Sequence, residues 1–292
     1  MVNAIVNRLL DYALNVLGPC ELVDDCTWSH RRSSVLRLRD ASGVTWFLKA
    51  HRDRERYRAE LTAYRGWVPA LNDRAPRLRA YDSSRQAMIL SAMPGEPAGW
   101  PADTVDGRDA ERSDERAVHR DAGKVLGLLH NARPATRWDD FAADKIKEFD
   151  SLTSSAAALL RPRELGAARA EVETLAGLPS PERIPCHHDY TPRNWLVHDG
   201  TVHVVDFEWS GLDVWVADLA RLHLGIWATR PDLREAFLSG YGRDLGDGDR
   251  AVLHGCAVLT GVWLVVKAHE TRQPSFEDAS RAALLRLIDR AA

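Results

Sequence analysis

The stretch from residue 184 to residue 211 reads IPCHHDYTPRNWLVHDGTVHVVDFEWSG and gathers His187, His188, Asp189, Asn194 and Asp206 within twenty positions. Carboxylate and amide oxygens at this density can hold a hard cation and aim an alcohol at a phosphate. Imidazoles mixed with carboxylates can instead ligate zinc or a dinuclear metal pair, as in a hydrolase. A third reading is a polar hairpin whose histidines bond only to backbone.

The elements that must position these groups discriminate among the three. Asp199-Gly200 is a strong two-residue hairpin signal between β-rich runs. Folding there pairs residue 198 with 201 and 197 with 202, and brings Asn194 beside Val205, with Asp206 one step further. Cross-strand neighbours lie about 5 Å apart, so Asn194 and Asp206 can share one cation at ligand distances of about 2.1 Å. Asp189, five residues before Asn194 in a turn-rich segment, is left to face a substrate. One amide and one carboxylate for a metal, plus a separate acid, suit phosphoryl transfer. No helical H-x-x-x-H occurs here, Pro192 opposes a helix, and His198 sits at the far end of the hairpin. The hydrolase and the inert hairpin remain the alternatives.

Around this segment the chain changes character. Residues 31–50 read as two strands joined at Asp40-Ala41-Ser42-Gly43, and a helical pattern runs from about Arg52 to Val68. RAPRLRAYD and QAMILSAMPGEP read as two further strands. After a polar stretch at 99–114 the chain is mainly helical, apart from the segment above. The expected organisation is α+β: a small β-rich lobe, residues 1–93, with one main helix, and a larger, mostly helical lobe, residues 94–292. The first residues read as an amphipathic helix rather than a signal peptide, and no long apolar run suggests a membrane span. Cys20, Cys26, Cys186 and Cys256 are scattered, as free thiols in a reducing cytoplasm would be. A net charge of −3 gives no reason to expect nucleic acid. Only five of the 39 basic residues are lysines, and Lys49 is the only one in the first 123 positions.

H-x-D-x-x-x-x-N at His187, Asp189 and Asn194, followed by D-F-E at Asp206–Glu208, resembles the aminoglycoside phosphotransferase branch of the protein-kinase-like fold. The resemblance extends to AGKVLGLLHNAR and to GLDVWVADLARL, with Asp218-Leu219-Ala220 matching the family's Asp-Leu-Ala. It spans roughly residues 20 to 225 and implies a bilobal kinase-like fold. It also implies that Asp189 is the catalytic acid, that Asn194 and Asp206 ligate magnesium, and that His187 and Asp218 support the loop. Such a kinase needs a strand lysine for the phosphates, and Lys49 ends VTWFLKA. Its partner should be Glu60, about 70° from the centre of the apolar helix face, whereas Glu55 is about 150° away. The Ser91 carbonyl and the Met93 amide would hydrogen-bond the purine of ATP or GTP.

Two departures stand out. The phosphate-covering loop, expected near residues 24–34, contains no glycine, leaving Ser29, Ser33, Ser34 and Arg31 as side-chain donors. His188 stands where the family has glycine, which could alter the backbone or reach toward substrate. No Ala-Pro-Glu signature follows Asp206, which favours a small-molecule acceptor over a protein. Glu208, Trp209 and Asp213 are candidate acceptor contacts, since a polycation would favour an acidic pocket. The expected activity is a magnesium-dependent O-phosphotransferase using ATP or GTP on a hydroxylated small molecule, foremost an antibiotic of aminoglycoside, nucleoside or peptide type. A kinase of choline or a sugar, a metal-dependent phosphohydrolase and an inactive nucleotide-binding pseudokinase are the alternatives. The expected partners exclude nucleic acid and membrane, and the expected state is a monomer or homodimer.

Overall fold

The computed structural model describes residues 2–27, 33–99 and 112–289. Ser29 and Arg31, and most of the stretch 99–114, lie outside the described residues. In chain order the elements are α1 (Val2–Leu17), β1 (Cys20–Asp25), β2 (Ser33–Asp40), β3 (Thr45–His51), α2 (Arg54–Gly66), β4 (Leu78–Asp82), β5 (Ala87–Ser91) and β6 (Glu96–Pro97). Then come α3 (Arg112–His130), β7 (Thr136–Arg137), α4 (Phe141–Ala156), α5 (Pro162–Glu173), β8 (Glu182–Cys186), β9 (Trp195–His198), β10 (Thr201–Val204) and β11 (Gly211–Asp213). The last are α6 (Ala220–Leu224), α7 (Pro231–Tyr241), α8 (Asp247–Glu270) and α9 (Pro274–Ile288). They form an α+β fold that divides into two compact units: Met1–Val105 with Pro192–Gly211, and Asp106–Thr191 with Leu212–Ala292.

The first unit is built on a five-stranded antiparallel sheet of order β1-β2-β3-β5-β4. Alternation along β2 and β3 points Leu36, Leu38 and Leu48 to one face, where Leu9, Tyr12 and Ala13 of α1 cover them. The spacing of those three α1 residues makes the apolar stripe that a surface helix needs. Asp53 starts α2 by accepting hydrogen bonds from the Glu55 and Arg56 amides at its N-terminus. The helix buries Tyr57, Glu60, Ala63 and Tyr64 on one side. The same unit contains the hairpin β9–β10, whose register pairs Thr201 with His198 and Val204 with Trp195. Its two turn residues, Asp199 (φ 47°) and Gly200 (φ 70°), both have the positive φ that a tight two-residue hairpin demands. Strand β6 adds to β9, and a Cβ on Gly95 would stand 2.5 Å from the Val197 carbonyl oxygen. Only glycine permits that approach.

The second unit is mostly helical, with a small sheet of order β11-β8-β7. Helices α3 and α7 meet backbone to backbone. A Cβ on Gly240 would lie 1.8 Å from the Arg120 carbonyl oxygen, and one on Gly123 would lie 2.1 Å from that of Phe237. Helix α8 is long and apolar enough by length and composition to cross a membrane, but 72% of its most apolar window is buried inside the protein. It packs against α4, α5, α6 and α9 as a core helix does. Strand β8 runs straight into His187, and the segment Trp215–Leu219 with α6 follows β11.

Candidate active site

On β3 the period-two alternation sends Lys49 and His51 to the same face, toward α2. Lys49 is 8% exposed and Glu60 0%. The Lys49 Nζ donates to Glu60 Oε1 at 3.1 Å and lies 2.9 Å from its Oε2. It also donates to Asp206 Oδ1 at 2.6 Å and stands 3.3 Å from Glu208 Oε2. Burial alone would push the lysine down, but Asp206, Glu60 and Glu208 outweigh it and hold the ammonium well above its ordinary value. Burial likewise opposes the charge on Glu60, yet Lys49 and His51 keep that carboxyl below its usual range. His51 Nε2 sits 2.6 Å from Glu60 Oε2, so one glutamate is shared by two partners from the same strand face.

The hairpin delivers the next pair. Asn194 ends the short turn Pro192–Asn194, and its carbonyl accepts the Val205 amide at 3.1 Å, continuing the β9–β10 register. Asp206 follows in a left-handed conformation, φ 69°, which turns its carboxylate to Lys49. Phe207 then packs edge-on against Tyr64 at 5.6 Å. The donors available at this end, a carboxamide oxygen and a carboxylate, are all hard oxygens, the set that suits magnesium rather than zinc. Burial, with Asp206 beside it, pushes the Glu208 carboxyl up. The Arg56 guanidinium lies over the Trp209 ring. Glu208 and Trp209, expected as acceptor contacts, therefore face Lys49 and Arg56. Of the two expected purine contacts, Ser91 ends β5 opposite Trp46, its hydroxyl accepting the Arg77 amide at 2.9 Å, and Met93 lies two residues beyond the strand.

In the second unit Asp218 organises the loop after β8. Its Oδ2 accepts the His187 amide at 2.8 Å, and its Oδ1 accepts the His188 amide at 2.5 Å. His130 Nε2 stands 3.0 Å from Oδ2, so this buried carboxylate, held below its usual range despite burial, is compensated on both oxygens. The Asp189 amide lies 3.3 Å from His187 Nδ1. His188 keeps the left-handed backbone that a glycine would adopt freely, φ 62°. Its ring turns to Asp213, Nε2 to Oδ2 at 3.2 Å. Asp213 also accepts from Lys145 at 2.7 Å, so this third expected acceptor contact is buried in an internal ion cluster. Asp189 itself is 1% exposed and paired with the Nη1 of Arg221 on α6.

The sequence reading missed His51, Arg221, Lys145 and His130. His51 was within reach, because residues two apart on a strand share a face. The other three meet their partners across 32, 68 and 88 positions; His130 and Arg221 lie inside AGKVLGLLHNAR and GLDVWVADLARL, but nothing local names their partners. Among the described residues two further groups come within metal-ligand reach, His130–Cys186–Asp218 and His51–Glu60–Glu208. Burial pushes the Cys186 thiol well up, and it donates to the Asp213 and Val214 carbonyls, so it serves packing rather than ligation.

The sequence profile described as the phosphotransferase enzyme family matches residues 28–256. No curated protein matches the sequence. Among solved structures, a thermostable mutant of aminoglycoside phosphotransferase APH(4)-Ia in ternary complex with ADP and hygromycin B aligns at 14% identity. The alignment covers 97% of this chain and 98% of that one, with a TM-score of 0.70. The macrolide 2′-phosphotransferase MphH from Brachybacterium faecium aligns at 19% identity over 95% and 97%, with a TM-score of 0.62. A choline/ethanolamine kinase family protein from Mesorhizobium loti aligns at 18% over 96% and 93%, with a TM-score of 0.64. All three share the fold.

Proposed function

The chain belongs to the phosphotransferase enzyme family and is a small-molecule kinase; from that premise we propose that it moves the terminal phosphoryl group of ATP or GTP onto a hydroxyl of a small molecule. The observation that carries this reading is the buried Lys49, held by Glu60 and aimed at Asp206. A buried lysine fixed by a helix glutamate and reaching the aspartate after the hairpin is the arrangement that holds nucleotide phosphates beside a metal site in kinase-like enzymes.

Each residue then has a role. Lys49 would hold the nucleotide phosphates, with Glu60 fixing its position. Asn194 and Asp206 would hold magnesium, which when bound neutralises phosphate charge. The Ser91 carbonyl and Met93 amide would hold the purine. Asp189 would accept a hydrogen bond from the acceptor hydroxyl. As the hydroxyl oxygen bonds to the γ-phosphorus, the bond from that phosphorus to the bridging oxygen breaks, its electron pair leaves on the nucleoside diphosphate, and the hydroxyl proton passes to Asp189. His187 and Asp218 would keep the loop in place. Residues 1–93 would serve the nucleotide and residues 94–292 catalysis and the acceptor. The fold relatives acting on hygromycin B or macrolides support an antibiotic as acceptor, with resistance as the outcome in the cytoplasm. A choline-like alcohol is the second reading, supported by the choline/ethanolamine kinase relative.

The test is ADP release with ATP or GTP and magnesium across hygromycin B, gentamicin, a macrolide and choline, with a mass gain of about 80 Da on the product. Asp189→Ala should lower turnover by a factor of about 100–10,000 and leave nucleotide affinity nearly unchanged. Turnover close to wild type in that variant would remove Asp189 from the mechanism. Phosphate release from a phosphoester without ATP would instead identify a phosphohydrolase.

A further inference from the structure

The acids around the catalytic loop are already compensated. Asp189 is paired with Arg221, Asp213 with Lys145 and His188, and Asp218 with His130. A polycationic acceptor is held by spare carboxylates, and Asp213, one of those expected to provide that charge, is committed within the protein.

Arg221 is the more informative of these partners. It is three residues after Asp218, whose carboxylate fixes the backbone of the catalytic loop, so one short segment both shapes the loop and places a guanidinium against Asp189. The pair is nearly buried, with the arginine side chain 14% exposed and the aspartate 2%. The guanidinium occupies the carboxylate oxygen that an acceptor hydroxyl would otherwise reach. A group on the acceptor that draws the guanidinium away, or shares it, leaves that oxygen to the hydroxyl. Guanidinium forks bind carboxylate and phosphate groups with paired hydrogen bonds.

Resting on the phosphotransferase reading above, we propose that Arg221 determines acceptor specificity: the acceptor is a hydroxylated molecule carrying a carboxylate or phosphate, which engages Arg221 and frees Asp189 for the hydroxyl. The polycationic class is disfavoured, because it would meet Arg221 with like charge and find the neighbouring acids occupied.

Calorimetric titration of the full chain, saturated with AMP-PNP and magnesium, separates the classes with four probes. Glucose 6-phosphate and gluconate carry the anion, glucose lacks it, and hygromycin B is the polycation. The two anionic probes should bind at least tenfold more tightly than glucose. Arg221→Gln should abolish that advantage and Arg221→Lys should retain part of it, since a point charge replaces a fork. Tighter binding of hygromycin B than of either anion, equal or undetectable binding of all four probes, or an undiminished anion advantage in a folded Arg221→Gln would overturn the proposal. If Arg221→Gln does not fold, Arg221→Lys carries the comparison, with a several-fold loss confined to the anionic probes expected. ADP release with ATP in place of AMP-PNP is scored separately. Anion-selective binding without turnover would sink the phosphotransferase reading and leave this site standing. Turnover confined to hygromycin B would do the reverse.

Discussion

At the scale of single residues, Glu60 and His188 show how strongly the candidate site depends on buried charge. Glu60 carries Lys49 and His51 at once, so removing either partner loosens the other. His51→Leu should raise the KM for ATP by about tenfold, in line with losing one charge-assisted hydrogen bond. His51→Gln, which can still donate to Glu60, should recover most of it; steady-state kinetics on both variants decides. His188 is held above the ordinary histidine value of 6.5: burial works against its charge, but Asp213 outweighs it. Its contribution to stability is therefore complete below that value and lost as pH rises through the higher folded pKa. Urea denaturation across that window should show wild type weakening with rising pH and His188→Gln responding less steeply. The left-handed backbone at His188 costs about 1 kcal/mol, so glycine there would relax the chain and forfeit the contact with Asp213.

At the scale of elements, the sequence was most legible where local rules act. The Asp199-Gly200 turn set the hairpin register found in the structure, and helix periodicity picked Glu60 over Glu55 as the partner of Lys49, the strand lysine that the family resemblance requires. Strands β2 to β5 of the first sheet and helices α2 to α5 follow the same local signals. What stayed hidden depends on long-range packing. The two- and three-residue strands β6, β7 and β11 have no pattern of their own and exist because a neighbouring strand accepts them. Gly123 and Gly240 look unremarkable in sequence, yet they allow α3 and α7 to touch along their backbones. Gly240→Ala should cost about 3 kcal/mol, because the obstacle is a carbonyl that cannot move aside. A lowered urea midpoint with an unchanged slope is the expected signature.

At the scale of the whole molecule, two units with separate cores share one chain that passes from the first to the second and returns for the hairpin. The hairpin residues Asn194 and Asp206 thus belong to the unit that carries Lys49, although more than a hundred residues separate them from it. A ligand that unites these groups should stabilise the protein by mass action. AMP-PNP with magnesium at a hundred times its Kd should add about 2.7 kcal/mol, visible as a Tm rise of several degrees. Chelation with EDTA should cancel most of that rise, and Asp206→Ala should show little of it from the start. An equal rise in the variant would mean that the nucleotide binds without the hairpin. The acceptor was the least legible property, because charge compensation between distant residues such as Lys145 and Asp213 leaves no trace in composition.

The turn that sets the hairpin register is also its chemical weak point. Asp199 is almost fully exposed and precedes a glycine, the pairing in which a side-chain carboxyl most readily closes onto the next backbone nitrogen to form a succinimide. Reopening as isoaspartate inserts an extra carbon into the main chain at the two-residue turn. Ageing at this one bond would therefore shift the strand that leads to Asp206, and stored protein should lose magnesium-dependent nucleotide binding before it loses its fold.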